Sequence, residues 1–268
     1  MHVVLMNNIP SFTVHHIQSK ALKRQVRVDL YRSRQAIDVD TIDLLIVNDG
    51  QDLLKMDMLR WLDQLADIKM PLLVMGVHAG VERKLEYGVA GQPDFMNRGS
   101  KADLYTCFVL QEMLPYVKKE LGSLNLRNKY VAGFSLGGLM AFDLALEFPS
   151  EFSAAGVFSG SFWWRSIDLK DEYVEERDRI MHAKIRTKQN NMHQRFFLQT
   201  GAKDETADRN KNGIIDSIDD TLDIIQELEG IGFQRERQIT YVELPDGTHD
   251  LTTWSKVMPQ FLSWLYMK

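Results

Sequence analysis

The chain has 268 residues, 44% hydrophobic and 26% charged, enough to bury a substantial core and in keeping with one domain over residues 1–268. A net charge of −5 gives no electrostatic reason to expect nucleic acid, no stretch approaches the apolar length of a membrane span, and the one cysteine, Cys107, excludes an internal disulfide. The amino-terminal Met1-His2-Val3-Val4-Leu5-Met6-Asn7-Asn8 lacks the basic lead and apolar run of a secretory signal, so a cytoplasmic location is expected.

Residues 12–17 and 25–31 alternate apolar and polar with β-branched enrichment, which predicts antiparallel edge strands. Strands and helices then alternate: strand 42–47, helix 56–66, strand 72–77, helix 102–121, strand 130–134, helix 138–148. Strands follow at 154–158, 195–200 and 238–244, before a carboxy-terminal helix. Such alternation predicts an α/β fold, a mostly parallel twisted sheet flanked by helices on both faces, with ligands at the carboxyl ends of the strands. Cys107 falls on the helix 102–121, where packing is its expected role.

The most informative segment is Tyr130-Val131-Ala132-Gly133-Phe134-Ser135-Leu136-Gly137-Gly138, an apolar strand running into Gly-x-Ser-x-Gly and then into a nearly all-apolar helix that ends at Pro149. This is the sequence form of a nucleophile elbow: Ser135 at a strained strand-to-helix turn, with Gly133 and Gly137 letting strand and helix approach. The helix amino terminus aimed at Ser135 would stabilise developing negative charge, with the Leu136 N–H as one oxyanion donor.

A serine nucleophile on this architecture needs an acid and then a histidine, in that chain order. Of the seven histidines only His182, His193 and His249 follow Ser135, and only His249 lies beyond the acids on the loop after strand 195–200. That loop offers Asp204 and Glu205, with Asp204 preferred and both kept open. The predicted triad is Ser135, Asp204 and His249, the acid holding the imidazole in its tautomer and stabilising the imidazolium.

These residues carry a family resemblance over most of the chain. It is similar to an esterase family of α/β-hydrolases that includes S-formylglutathione hydrolase (esterase D), ferric siderophore esterases and feruloyl or acetyl-xylan esterases. The stretch Leu44-Leu45-Ile46-Val47-Asn48-Asp49-Gly50-Gln51-Asp52 resembles the family's turn that supplies the second oxyanion N–H, which implies that role for Gln51 or Asp52. Asp49-Gly50 stands where many relatives have His-Gly and is closer to the siderophore-esterase variant. Arg83-x-x-Glu86-Tyr87 and Ser159-Gly160-Ser161-Phe162-Trp163-Trp164 resemble motifs of the same branch, and Gly201-x-x-Asp204 resembles the family's acid loop. The resemblance implies a serine esterase working through an acyl-enzyme on a small ester, siderophore-like or phenolic. An acyltransferase with the same triad, or a calcium-dependent binding protein on a hydrolase scaffold, stays open beside it.

Arg83, Glu86, Trp163 and Trp164 are the candidate substrate contacts, against an Arg83–Glu86 ion pair and core packing of at least one tryptophan as their structural alternatives. Two segments stand apart. Residues 168–194 are highly charged and read as a solvated helical insertion, a plain exposed helix more than a lid. Residues 208–219 fit a twelve-residue calcium loop, with Asp208, Asn210, Asn212, Asp216 and Asp219 at ligand positions, the Ile214 carbonyl between them and Gly213 at the sharp turn. A structural calcium ion that stiffens the acid loop is expected, with no cofactor for catalysis; a polar cap on helix 218–228 is the competing reading. The expected partner is a small-molecule ester, with no nucleic acid and no membrane; self-association is left open.

Overall fold

The structure, a computed structural model, describes residues 11–33, 40–64, 71–122, 124–191, 193–235 and 237–267. The stretch 1–8 read for a leader lies outside them, as do residues 65 and 66 of the helix expected over 56–66. In chain order come β1 (Ser11–Ser19), β2 (Arg24–Arg32), β3 (Thr41–Asn48), a single 3₁₀ turn at Gly50–Asp52, α1 (Met58–Gln64), β4 (Leu72–Val77) and α2 (Arg83–Glu86). Then follow α3 (Ala102–Cys107), a π-helical turn at Phe108–Met113, α4 (Leu114–Leu121), β5 (Asn125–Phe134), α5 (Leu136–Glu147) and β6 (Ala154–Phe158). α6 (Glu175–Asp178), α7 (Ile180–Arg186), β7 (Arg195–Lys203), α8 (Asp216–Gly230), β8 (Ile239–Thr248) and α9 (Leu251–Trp264) complete the chain.

The eight strands form one sheet in the order β1-β2-β4-β3-β5-β6-β7-β8. β1, β2 and β4 pair antiparallel, and every pair from β4 to β8 is parallel. Parallel strands are covered on both faces, which is why β4, β6 and the Leu44 to Val47 stretch of β3 read as unbroken apolar runs. Their side chains still alternate: Leu44, Ile46, Leu73 and Met75 face one core with α3, α4, α5, α7 and α8, whereas Leu45, Val47, Leu72 and Val74 face the other with α1 and α9. Among the described residues no helix is long and apolar enough to cross a membrane.

The charged insertion departs from the expectation of an exposed helix. α7 buries Ile180, Met181, His182 and Ile185, three of them in the core that holds α5. Its charges face inward to partners: Lys184 pairs with Asp143 of α5, whose other carboxylate oxygen accepts the Ala90 N–H at 3.0 Å, and Arg179 reaches Asp220 and Asp223 of α8. Segment composition shows charge; it does not show that the charges meet opposite charges across a buried seam.

Lys184 and Asp143 are 8% and 1% exposed, so removing the cation leaves a buried carboxylate without its counter-charge. Lys184→Ala is expected to lower unfolding stability by about 3 kcal/mol, read by urea denaturation; a change under about 0.5 kcal/mol would mean that α7 is not clamped to the nucleophile helix.

Candidate active site

Six strand ends bring the predicted residues to one edge of the sheet: Asp49 after β3, Arg83 after β4, Ser135 after β5, Ser159 to Trp163 after β6, Asp204 after β7 and His249 after β8. Ser135 has φ 54° and ψ −120°, a conformation L-residues rarely adopt, and it immediately precedes α5. Its N–H donates to the Phe158 carbonyl at 2.9 Å and its carbonyl accepts from Gly138 and Leu139 at 3.0 and 3.1 Å, so the turn is held from both sides. A Cβ on Gly133 would lie 2.2 Å from the Gly137 carbonyl oxygen, and one on Gly137 would lie 2.6 Å from an Asp49 carboxylate oxygen. Gly133 is therefore required by backbone approach, and Gly137 by the side chains of Asn48 and Asp49 that close over it.

The turn after β3 is tied to the elbow by contacts that sequence reading passed over. The Asn48 side chain donates to the Gly137 carbonyl at 2.8 Å and accepts the Tyr105 hydroxyl at 2.6 Å. Asp49, with φ 62°, holds Arg83 in a fork at 2.6 and 2.7 Å, and Arg83 also reaches the Phe134 carbonyl at 3.4 Å. The signal available was a polar pair ending an otherwise apolar strand. Of the two expected oxyanion donors, the Asp52 N–H is spent on the Asp49 carbonyl at 3.1 Å, which leaves the Gln51 N–H. The Gln51 side chain accepts the Ala79 N–H at 3.1 Å.

Arg83 does not pair with Glu86. Glu86 is 1% exposed and takes a fork from Arg24, at 2.8 and 2.6 Å, so it is structural and cannot touch a substrate. Trp164 is likewise removed from the substrate contacts: it is fully buried, donates to the Gln92 carbonyl at 3.1 Å and fills the space over Gly88 and Gly99. Trp163 is half-buried, with the Arg98 guanidinium 4.6 Å over its ring and Arg98 held in turn by buried Asp94.

His249 is exposed at the edge of the site, its ring against Trp254 at 5.2 Å and 79°. Partial burial lowers its pKa from the ordinary 6.5, the Asp204 charge opposes that shift, and Arg83 adds to it. Asp204 accepts the Gly201 N–H at 3.0 Å on one carboxylate oxygen, and its other oxygen is buried without a partner among the described residues. Glu205 faces the start of α8 instead, where burial raises its pKa and the Ser217 N–H opposes the rise. Of the two acids on this loop, Asp204 is the one whose charge raises the His249 pKa. Among the described residues, Ser135 Oγ has one hydrogen-bond partner, Ser161 Oγ at 3.4 Å.

A cavity of about 130 Å³ lies among Asp49, Gln51, Asp52, Arg83, Phe134 and Trp254. A larger one of about 550 Å³, lined by Leu110, Leu114, Leu126 and Phe148, is at the amino end of β5 and away from all of this chemistry. The small cavity is well below the roughly 300 Å³ of a drug-sized ligand pocket and suits one small group of a substrate.

In the segment 208–219, Asp208 accepts the Asn212 and Gly213 N–H groups at 3.1 and 2.9 Å, and the Asn210 and Asn212 side chains both donate to Asp219, at 2.6 and 3.0 Å. Gly213 has φ 87° with open space around it. Asp216 turns away to the Arg209 N–H at 2.9 Å. Among the described residues no three carboxylate, histidine or cysteine side chains form a metal-holding group. The loop thus has the bends of a cation loop and the convergence of positions 3, 5 and 12, with amide nitrogens facing Asp219.

The family model described as "Putative esterase" matches residues 19–265. No curated protein matches the chain. Among solved structures, the enterobactin esterase of Shigella flexneri, crystallised in the presence of enterobactin, is similar with a TM-score of 0.73 and 20% identity, over 96% of this chain and 58% of that one. A ferulic acid esterase (TM-score 0.69, 15% identity, 97% and 98% covered) and a siderophore hydrolase of Aspergillus nidulans (0.68, 15%, 96% and 95%) have the same fold. All are of the α/β-hydrolase type, and the chain spans about three-fifths of the length of the enterobactin esterases.

Asp204 holds the His249 pKa up against burial, so the two directions can be separated. An NMR titration is expected to place the His249 imidazole below 6.5 in the wild type and lower still in Asp204→Asn; an unchanged value in the variant would remove Asp204 from the site.

Proposed function

The chain belongs to the esterase family, and on that premise we propose that it is a serine carboxylic-ester hydrolase acting through an acyl-enzyme on a small ester. The observation that carries the proposal is Ser135 in strained backbone at the head of α5, with one face of its turn closed by Asn48 and Asp49. His249 takes the Ser135 proton as Oγ attacks the ester carbonyl, and the Leu136 and Gln51 N–H groups hold the oxyanion. His249 then protonates the leaving alcohol, and water activated by the same ring releases the acid and frees Ser135. Asp204 keeps the ring in the tautomer that accepts at its far nitrogen, and its unpartnered buried oxygen supports that role.

For the substrate, the partly exposed Trp163 in the turn after β6 and the small cavity that Phe134 and Trp254 help to line favour an ester with an aromatic or otherwise flat group, siderophore-like or phenolic. The similar folds of enterobactin, ferulic acid and siderophore esterases lend weight to the same class.

The test is hydrolysis of short-chain p-nitrophenyl esters. Ser135→Ala is expected to abolish it and Asp204→Asn to lower kcat about 10³-fold or more, whereas Glu205→Gln stays within a few-fold of wild type; full activity in Ser135→Ala would end the proposal.

We also propose that residues 208–219 bind a structural calcium ion, held by Asp208, Asn210, Asn212, Asp219 and the Ile214 carbonyl with Asp216 acting through water. The two amides would turn their oxygens inward to do so. An ion stabilising the folded state raises Tm by mass action, so millimolar calcium is expected to lift Tm by roughly 5 °C over chelator, and Asp208→Ala to abolish the difference. Equal melting in both conditions would leave the loop as a cap on α8.

A further inference from the structure

We propose that Ser161 is a further catalytic residue, whose hydroxyl donates a hydrogen bond to the nucleophile oxygen and sets its direction of attack; this rests on the esterase reading above. Ser161 lies in the turn after β6, 2% exposed, with its Oγ 3.4 Å from Ser135 Oγ. The two residues are tied twice, because the Ser161 N–H also donates to the Ser135 carbonyl at 3.2 Å. Among the described residues Ser135 Oγ is the sole partner of the Ser161 hydroxyl, so that group is not consumed by packing or by the turn. The neighbouring residues account for the turn without it: Ser159 has φ 46° and accepts Trp254 Nε1 at 2.9 Å, and Gly160 fits against Val157 and Phe162 where a Cβ would clash at 2.5 Å.

The chemistry assigns the direction of the bond. Once His249 has taken up the Ser135 proton, Oγ carries lone pairs and no hydrogen, so Ser161 is the donor and Oγ the acceptor. One Oγ lone pair is then held by Ser161 while another attacks the ester carbon. The C–Oγ bond forms as the carbonyl electron pair moves to oxygen, the proton stays on His249 until the alcohol leaves, and Ser161 gains and loses nothing. A serine Oγ on one χ1 bond has three staggered positions, and a second hydroxyl pinned by its own backbone selects among them. The contact also stabilises the negative charge that Oγ takes on as its proton departs, an effect of a single neutral hydrogen bond and so worth about tenfold.

The test is the rate at which a fluorophosphonate labels Ser135, a reaction in which the Oγ–P bond forms, fluoride leaves and the Oγ proton passes to His249. It is run on wild type, Ser161→Ala and Ser161→Thr, with Tm measured for each. Labelling is expected to fall about tenfold in Ser161→Ala with Tm held within about 2 °C, to recover to within threefold of wild type in Ser161→Thr, and to be matched by a loss in kcat on p-nitrophenyl esters at unchanged KM. Labelling of Ser161→Ala within twofold of wild type would overturn the assignment while leaving the esterase reading intact. Equal losses in Ala and Thr variants together with a fall in Tm would reduce Ser161 to a packing role. No labelling of the wild type at Ser135 would overturn the esterase reading and this inference together.

Discussion

The constraint on which the elbow depends is the approach of Gly133 to Gly137, where strand β5 passes into α5 with no space for a single carbon between them. Everything at the site follows from it. Because the turn is that tight, Ser135 is forced to φ 54°, its side chain projects from the end of the sheet, and the first N–H groups of α5 lie directly behind it. Strain of this kind persists only when the surroundings over-determine it. Here they do so with a hydrogen bond from the serine N–H to the Phe158 carbonyl, others from the Gly138 and Leu139 N–H groups to the serine carbonyl, and a helix that is buried on almost every side.

A second constraint joins the elbow to the turn after β3. Asn48 and Asp49 end β3 beside the end of β5, and each makes one contact back to the elbow and one outward: Asn48 to Gly137 and Tyr105, Asp49 through Arg83 to Phe134. Asp49 is buried and Arg83 partly so, which makes the fork between them an expensive contact to break. Its effect is to place Gln51 relative to Ser135 through side chains instead of through sheet hydrogen bonds alone. A turn fixed in this way has its backbone N–H groups held in place before any ligand arrives.

The fold was legible because its signals are local and repeated: period-2 alternation in β1 and β2, unbroken apolar runs in the buried parallel strands, and the Gly-x-Ser-x-Gly turn. Order along the chain picks out Ser135, Asp204 and His249, and each of the three follows directly on the end of a strand, β5, β7 and β8. What failed were side-chain partners. Glu86 was read against Arg83, its neighbour one helical turn away, yet it pairs with Arg24, sixty-two residues earlier, since β2 runs beside β4 and brings Arg24 over α2. The charged insertion looked solvated for the same reason, its lysine and arginines finding Asp143, Asp220 and Asp223 on other helices. Charge is visible in a sequence, but whether it is satisfied by water or by a distant carboxylate is a property of the fold.

The chain on either side of His249 is anchored to the helix that follows it. Thr248 donates from its N–H to Thr253 Oγ1 at 2.9 Å and from its hydroxyl to Asp250 at 2.7 Å, and Asp250 caps α9 by accepting the Thr253 N–H at 2.9 Å. The backbone on both sides of His249 is therefore pinned to the first turn of α9, while the ring packs edge-on against Trp254. Trp254 is itself fixed, stacked on Phe134 at 5.1 Å and bonded to Ser159, so the surface against which the imidazole packs is held by β5 and by the turn after β6. His249 is thus set by the start of α9 on one side and by an aromatic pair on the other, and that pair ends at Phe134, the residue before the strained Ser135.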